Sequence, residues 1–242
     1  KPAFLAVHFT ELDTAEHDHG PRSTEALAAL EKIDGFIGEI LAAVRAGGIE
    51  GETTVAVVSD HGFLPVAKEV RPGSLFAALG LLDVDAEGTL TAWRAFPWFA
   101  GGSTAIYLHP DAPAGTAQIV DKAIDLLASR PERPVRKVYR GEELARLGGF
   151  PGAYAVLDAE SGFFFSSRLA GPVILDATLR GVHGHTPDRE GLAASLLIRG
   201  PKIRAGQRIG KVDIRDVAPT LARVLGVDLG PVEGRVLEEI FQ

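Results

Sequence analysis

Three short stretches of this 242-residue chain gather carboxylates and imidazoles densely enough to do chemistry. The first runs Asp13-Thr14-Ala15-Glu16-His17-Asp18-His19-Gly20-Pro21, the second Ser59-Asp60-His61-Gly62, and the third Gly181-Val182-His183-Gly184-His185-Thr186-Pro187-Asp188. Asp13 and His17 lie four apart, so a helical turn would project both from one side. A carboxylate beside an imidazole suits zinc or a similar divalent ion, with manganese and iron also admitted. Neighbours on a regular strand point to opposite faces, so Asp60 and His61 could share a metal only where the chain has already bent, and Gly62 permits a sharp turn there. Two glycines around His183 fit close backbone packing beside a bound group. Each stretch alone also has a plain reading: a solvated loop with a helix cap, an ordinary strand-end turn, a loop histidine without a role.

His19 and His185, beside the candidate ligands, could touch substrate or an outer shell. His8 reads as a strand residue in the core, and His109 before Pro110 as a surface turn. Trp93, Trp98 and Phe99 lie near Gly101-Gly102-Ser103 and read as core aromatics, with a pocket border as the alternative.

Composition narrows the classes. There are no cysteines, which removes disulfides, thiolate ligands and a cysteine nucleophile and leaves the compartment open. A net charge of -7 and a pI near 5.5, without a long basic stretch, argue against nucleic acid as the main partner. No apolar run approaches the roughly 20 residues of a membrane-spanning helix.

The elements that must hold the three stretches follow from periodicity. Residues 3–9 are an apolar run that predicts a buried strand, and the pattern of Leu27, Leu30, Ile33, Ile37, Ile40, Leu41 and Val44 predicts a helix over 23–46, ended by Gly47-Gly48. A β-branched run over 53–59 predicts a second buried strand that delivers Asp60-His61. This strand-helix-strand order favours parallel strands covered by helices, with ligands beyond the carboxyl ends of the strands. In the middle, strands at 104–108 and 135–139, helices at 114–129 and 141–147, and a hairpin of 154–157 with 162–166 form an inserted small α+β subdomain at about 69–168. The core, 1–68 and 169–242, closes with a strand at 193–198 and a helix at 213–225. A chain that opens on Lys1 and then at once on a central strand is expected to be the C-terminal portion of a longer fold.

Taken together the stretches resemble the nucleotide pyrophosphatase/phosphodiesterase branch of the alkaline phosphatase superfamily. Its pattern Asp-x-x-x-His-x-x-Gly-Pro falls on Asp13 to Pro21, Asp-His-Gly on Asp60 to Gly62, and Gly-x-His-Gly on Gly181 to Gly184. The order and long-range spacing match as well, as do Gly200-Pro201 and the closing helix from Asp216. The resemblance implies one alkaline-phosphatase-like α/β catalytic domain with a mostly parallel sheet. It also implies two divalent metals, most suitably zinc, with Asp13, His17 and His183 on one and Asp60 and His61 on the other. The family's second metal takes a further Asp and a Thr or Ser nucleophile from a portion ahead of residue 3. Thr14 and Ser59 do not follow the nucleophile pattern, so no catalytic residue is assigned within the chain. The implied reaction is hydrolysis of a phosphodiester or nucleotide pyrophosphate through a Thr or Ser phosphoenzyme, with a small phosphate ester or nucleotide as substrate and the N-terminal segment of the same fold as partner. An extracytoplasmic setting is favoured by the resemblance. The alternatives are another superfamily activity (phosphomonoesterase, phosphonate hydrolase, sulfatase or phosphoglycerate mutase) and a non-catalytic metal-stabilised binding domain.

Overall fold

The protein is described by a computed structural model over residues 2–242. In chain order it forms α1 (Glu11–His19), α2 (Thr24–Ala46), β1 (Val55–Val58), β2 (Leu64–Val70), α3 (Pro72–Ala78), β3 (Leu82–Val84), β4 (Leu90–Trp93), β5 (Ala95–Phe99) and β6 (Ser103–Leu108). It continues with α4 (Thr116–Ala128), β7 (Val135–Tyr139), α5 (Gly141–Leu147), β8 (Ala155–Ala159), β9 (Gly162–Phe165), β10 (Ile174–Asp176), β11 (Gly181–Val182), β12 (Leu196–Arg199) and α6 (Val217–Leu225). The chain divides into two compact units, one made of the described residues up to Glu11 with 28–62 and 193–242, the other of 12–27 and 63–192.

The second unit is built on a four-stranded antiparallel sheet in the order β5-β6-β8-β7. Side chains alternate across it with the strand period of two. Ile106, Ala155 and Leu157 face one core with Val120, Ala123, Ile124 and Leu127 of α4. Ala105 and Val156 face the other, with Tyr139 and with Leu144 of α5. The α4 residues recur at helical spacing, so one stripe of that helix is buried along the sheet. Burying each of Val120, Ile124 and Leu127 stabilises the fold by about 1.5 to 3 kcal/mol. Beside this layer β2 pairs with β10 and β11 antiparallel and with β9 parallel.

In the first unit β1 pairs with β12 antiparallel, Val55 opposite Arg199 and Val58 opposite Leu196. Ile203, Leu237 and Ile240 form a small buried cluster there, with Ile198, Val224 and Phe241 packed on it. A capping box of Asp213 and Asp216 opens the turn before α6, and Gly226, at φ 70°, closes that helix. None of the helices among the described residues is long and apolar enough to cross a membrane.

Several expectations need correction. Residues 3–9 form no strand: they run as an exposed segment with Phe4 60% and Leu5 67% accessible, and His8 is exposed rather than in a core. A strand needs a neighbour for its backbone N–H and C=O groups, and no described strand pairs with this segment, so the strand-helix-strand unit does not form. The sheets are mixed, with β2–β9 the parallel pairing among the described strands. The expected hairpin is not made either. β8 is flanked on both edges by β6 and β7, which leaves β9 to pair with β2. Trp98 and Phe99 are exposed, at 59% and 46%. By contrast β7 and α5 have the expected bounds, and His109 sits at a turn with its ring on Trp93 and its Nδ1 accepting from the Asp111 N–H.

Candidate metal centre

Asp13 and His17 stand four apart on α1, which places both on one face of that helix. The helix ends at Gly20, whose N–H donates to the Glu16 carbonyl at φ 92°. His183 follows directly on β11, whose Gly181 and Val182 pair with Pro65 and Leu64 of β2. All three residues belong to the second unit, 12–27 with 63–192. His17 Nε2 lies 3.8 Å from Asp13 Oδ2, and His183 Nε2 lies 3.7 Å from Asp13 Oδ1. One carboxylate thus faces two imidazoles, one oxygen to each.

The tautomer of His17 follows from its partner. Its Nδ1 is 2.9 Å from the Gly181 carbonyl, which can only accept, so the bond requires Nδ1–H and leaves the Nε2 lone pair toward Asp13. The three donor atoms lie within 4.8 Å of one another. Two ligands about 2.1 Å from one ion at the tetrahedral angle are about 3.4 Å apart. Separations of 3.7 and 3.8 Å therefore fit a shared divalent cation with little movement, and three protein ligands leave a fourth position open for another group. The donors are partly accessible, so the position can be reached from solvent.

Phe63, which no motif in the sequence marks, completes the cluster. It is 8% accessible, and its ring meets His17 edge-on at 4.8 Å and His183 at 5.2 Å. This apolar wall restricts both imidazole planes. The signal in the sequence was an aromatic placed directly after Asp-His-Gly.

Asp60 and His61 belong to the first unit. Beyond β1 the ladder continues for one step, with the Ser59 N–H donating to the Ser195 carbonyl and the Ser195 N–H to Ser59 Oγ at 2.8 Å. The Asp60 carboxylate then accepts from the His61 N–H at 3.1 Å and lies 3.4 Å from His61 Nε2. The two side chains therefore lie on the same side of the turn, and the Asp60 side chain is 76% accessible. His19 is exposed at the end of α1. His185 is buried against Gly102, and burial pushes its imidazole pKa below the ordinary value.

Mixed sheets flanked by helices, with a carboxylate and two imidazoles gathered at a strand end, define an α/β protein with a candidate divalent-cation site. The family model described as type I phosphodiesterase/nucleotide pyrophosphatase matches residues 1–185, and the chain belongs to that family. Mouse bis(5'-adenosyl)-triphosphatase enpp4 is 24% identical over 246 residues, taking in 96% of this chain and 46% of that protein. Mouse ectonucleotide pyrophosphatase/phosphodiesterase family member 1 is 32% identical over 62 residues, which is 26% of this chain and 7% of that protein. The structure of an inactive variant of murine ectonucleotide pyrophosphatase/phosphodiesterase 5 in complex with AMP matches with a TM-score of 0.70 at 18% identity, over 95% of this chain and 56% of that one. The fold is therefore the one seen in that protein. The chain spans about half the length of the relatives that it matches from end to end.

Proposed function

We propose that this chain carries the metal-binding part of a hydrolase that cleaves phosphodiesters or nucleotide pyrophosphates. The observation that carries the reading is the Asp13 carboxylate held 3.7 to 3.8 Å from two imidazoles that arrive from different elements. In this proposal Asp13, His17 and His183 hold one divalent cation, zinc by preference for this donor set, and Asp60 and His61 supply part of a second. Such ions, when bound, neutralise the attacking and leaving oxygens of a phosphoryl group and lower the pKa of the nucleophile.

The chain's own part is to fix the donors. Gly181 holds His17 in the tautomer that offers Nε2, Phe63 restricts both rings, and the Asp13 carboxylate balances the positive charge. The nucleophile, a Thr or Ser that attacks phosphorus and expels the leaving group to give a phosphoenzyme that water then cleaves, is assigned to a portion of the family fold that this chain does not span. That portion is its partner in the same catalytic domain, in which residues 69–168 are the insertion, and a nucleotide or other small phosphate ester is the substrate, in an extracytoplasmic setting. The family membership and the AMP held by the structural relative support this substrate class.

Metal content per purified chain, measured by elemental mass spectrometry, tests the centre: about one tightly held divalent ion is expected for a three-ligand site. No metal at any added zinc concentration would refute the assignment. Rates on a phosphate diester, a monoester and a sulfate ester test the chemistry. Little or no turnover of any of them is expected from the chain alone, with the diester fastest once the rest of the fold is supplied. Robust turnover by these 242 residues would overturn the external nucleophile.

A further inference from the structure

We propose that Ser103 and the buried Asp158, both on the sheet of β5, β6, β8 and β7, are positioning residues that set the ligand geometry of His183. The inference rests on the metal-centre reading above.

The segment from Gly181 to Thr186 does two things for the site. It carries the His183 ligand, and its Gly181 carbonyl orients the His17 ring at 2.9 Å. Gly181 and Val182 are held by β2, and three anchors hold the part from His183 onward, all from the four-stranded sheet and the turn that leads into it. The Gly102 N–H donates to the His183 carbonyl at 2.8 Å, Ser103 Oγ–H donates to the Gly184 carbonyl at 2.6 Å, and the Thr186 N–H donates to Asp158 Oδ1 at 2.9 Å. The approach is backbone to backbone. A Cβ at Gly102 would collide with the His185 imidazole and one at Gly184 with the Ala100 carbonyl, and Gly184 has φ 81°. That is the role of the Gly101-Gly102-Ser103 run beside the exposed Trp98 and Phe99.

Asp158 is wholly buried, and its other oxygen accepts from Arg136 Nε at 2.6 Å. Arg136 Nη2 reaches onward to the Asp188 carboxylate at 2.8 Å and to Thr186 Oγ1 at 3.1 Å, and Thr186 Oγ1–H donates to Asp188 Oδ1 at 2.7 Å. The charge is paired and the segment is clasped on both sides of His185. A buried ion pair is by itself a weak source of stability, and a metal centre needs its ligands held within about 0.5 Å. Loss of one anchor releases the segment directly beyond β11, where His183 is set.

The test is cobalt(II) titration followed by visible absorption, with zinc affinity from chelator competition, on the wild type, Ser103→Ala, Asp158→Asn and Thr104→Val. Thr104 is the control. It is equally buried on the same strand and its hydroxyl donates to the Trp98 carbonyl at 3.1 Å, away from the segment. Ser103→Ala and Asp158→Asn are expected to weaken metal binding roughly 10- to 100-fold, the usual cost of losing an outer partner, and to shift the cobalt bands, which report ligand geometry. Thr104→Val should lose thermal stability with affinity and bands unchanged. Wild-type affinity and spectrum in folded Ser103→Ala would overturn the positioning role while leaving the metal centre intact; if Asp158→Asn does not fold, Ser103→Ala decides. A wild type that binds no cobalt would overturn both.

Discussion

Asp13, His17 and His183 are brought together by elements more than 160 residues apart in sequence, and parts of the fold outside the cluster help to hold them: α1, the Gly181 carbonyl, the Phe63 ring, the β11 pairing. Asp60 and His61 are neighbours on one turn, and what the Asp60 carboxylate meets is the His61 beside it. The difference concerns ordering. Fixing a side chain costs up to about 2 kcal/mol of conformational entropy; at the first cluster the folded unit has already met that cost for the two imidazoles, and at the second the carboxylate is the more accessible one, 76% against 46% for Asp13. Tight binding of a first ion is therefore expected at Asp13, His17 and His183, and weaker binding at Asp60 and His61.

The largest effect should come from removing a ligand. His183→Ala should abolish the tight ion, exceeding the roughly 10- to 100-fold loss typical of outer partners, whereas Asp60→Ala should leave the tight ion's affinity as it was. Zinc competition on both variants measures this. Equal losses in the two would erase the distinction drawn between the clusters.

A smaller contrast separates the interiors. Leu157 is fully buried between sheet and helix in the second unit, and Leu197 on β12 is 63% accessible. Leu157→Ala should cost about 2 to 5 kcal/mol by transfer and cavity terms, and Leu197→Ala should stay within about 0.5 kcal/mol. Urea unfolding measures both. A cost at Leu197 comparable to that at Leu157 would show that the exposed face is covered in solution.

These contrasts also explain what could be read from the sequence. The placement of Asp13 and His17 was legible because it is local: the two needed only helical spacing to fall on one face. Elements with strong periodicity were legible too, such as α2, α4 and the helix closed by Gly226. Residues 3–9 misled because an apolar run reports a wish for burial and says nothing about whether a strand lies alongside. The hairpin of β8 and β9 failed for the related reason that pairing is decided across the sheet, where β7 occupied the edge that β9 would have taken. Phe63 and the Asp158 clasp were hidden because each acts through a partner distant in the chain.

The smallest effect concerns two carboxylates, one in each unit, that arrive at a lowered pKa by different routes. Burial pushes Glu69 up, but hydrogen bonds from Arg71 Nε and Ser166 Oγ, each 2.7 Å, outweigh it and hold the carboxyl below its ordinary 4.5. Asp213, at the surface, is brought down to about 2 by hydrogen bonds from the Arg215 side chain and backbone. In both, the folded state binds fewer protons than the unfolded one, so the stabilisation is present above the unfolded pKa and is lost as pH falls through the folded value. For Glu69→Gln, the loss relative to wild type should be about 1.5 to 3 kcal/mol at neutral pH, as for hydrogen bonds to a charged group, and should shrink as pH drops below 4.5. For Asp213→Asn any deficit should fade between 3.8 and about 2. It should also vanish in 1 M salt, where the screening length is about 3 Å, while the buried Glu69 deficit persists. Urea midpoints across pH at low and high salt read all of this, and a Glu69→Gln deficit that stayed constant from pH 7 to pH 3 would show that the Glu69 side chain stabilises its unit by packing and owes nothing to its charge.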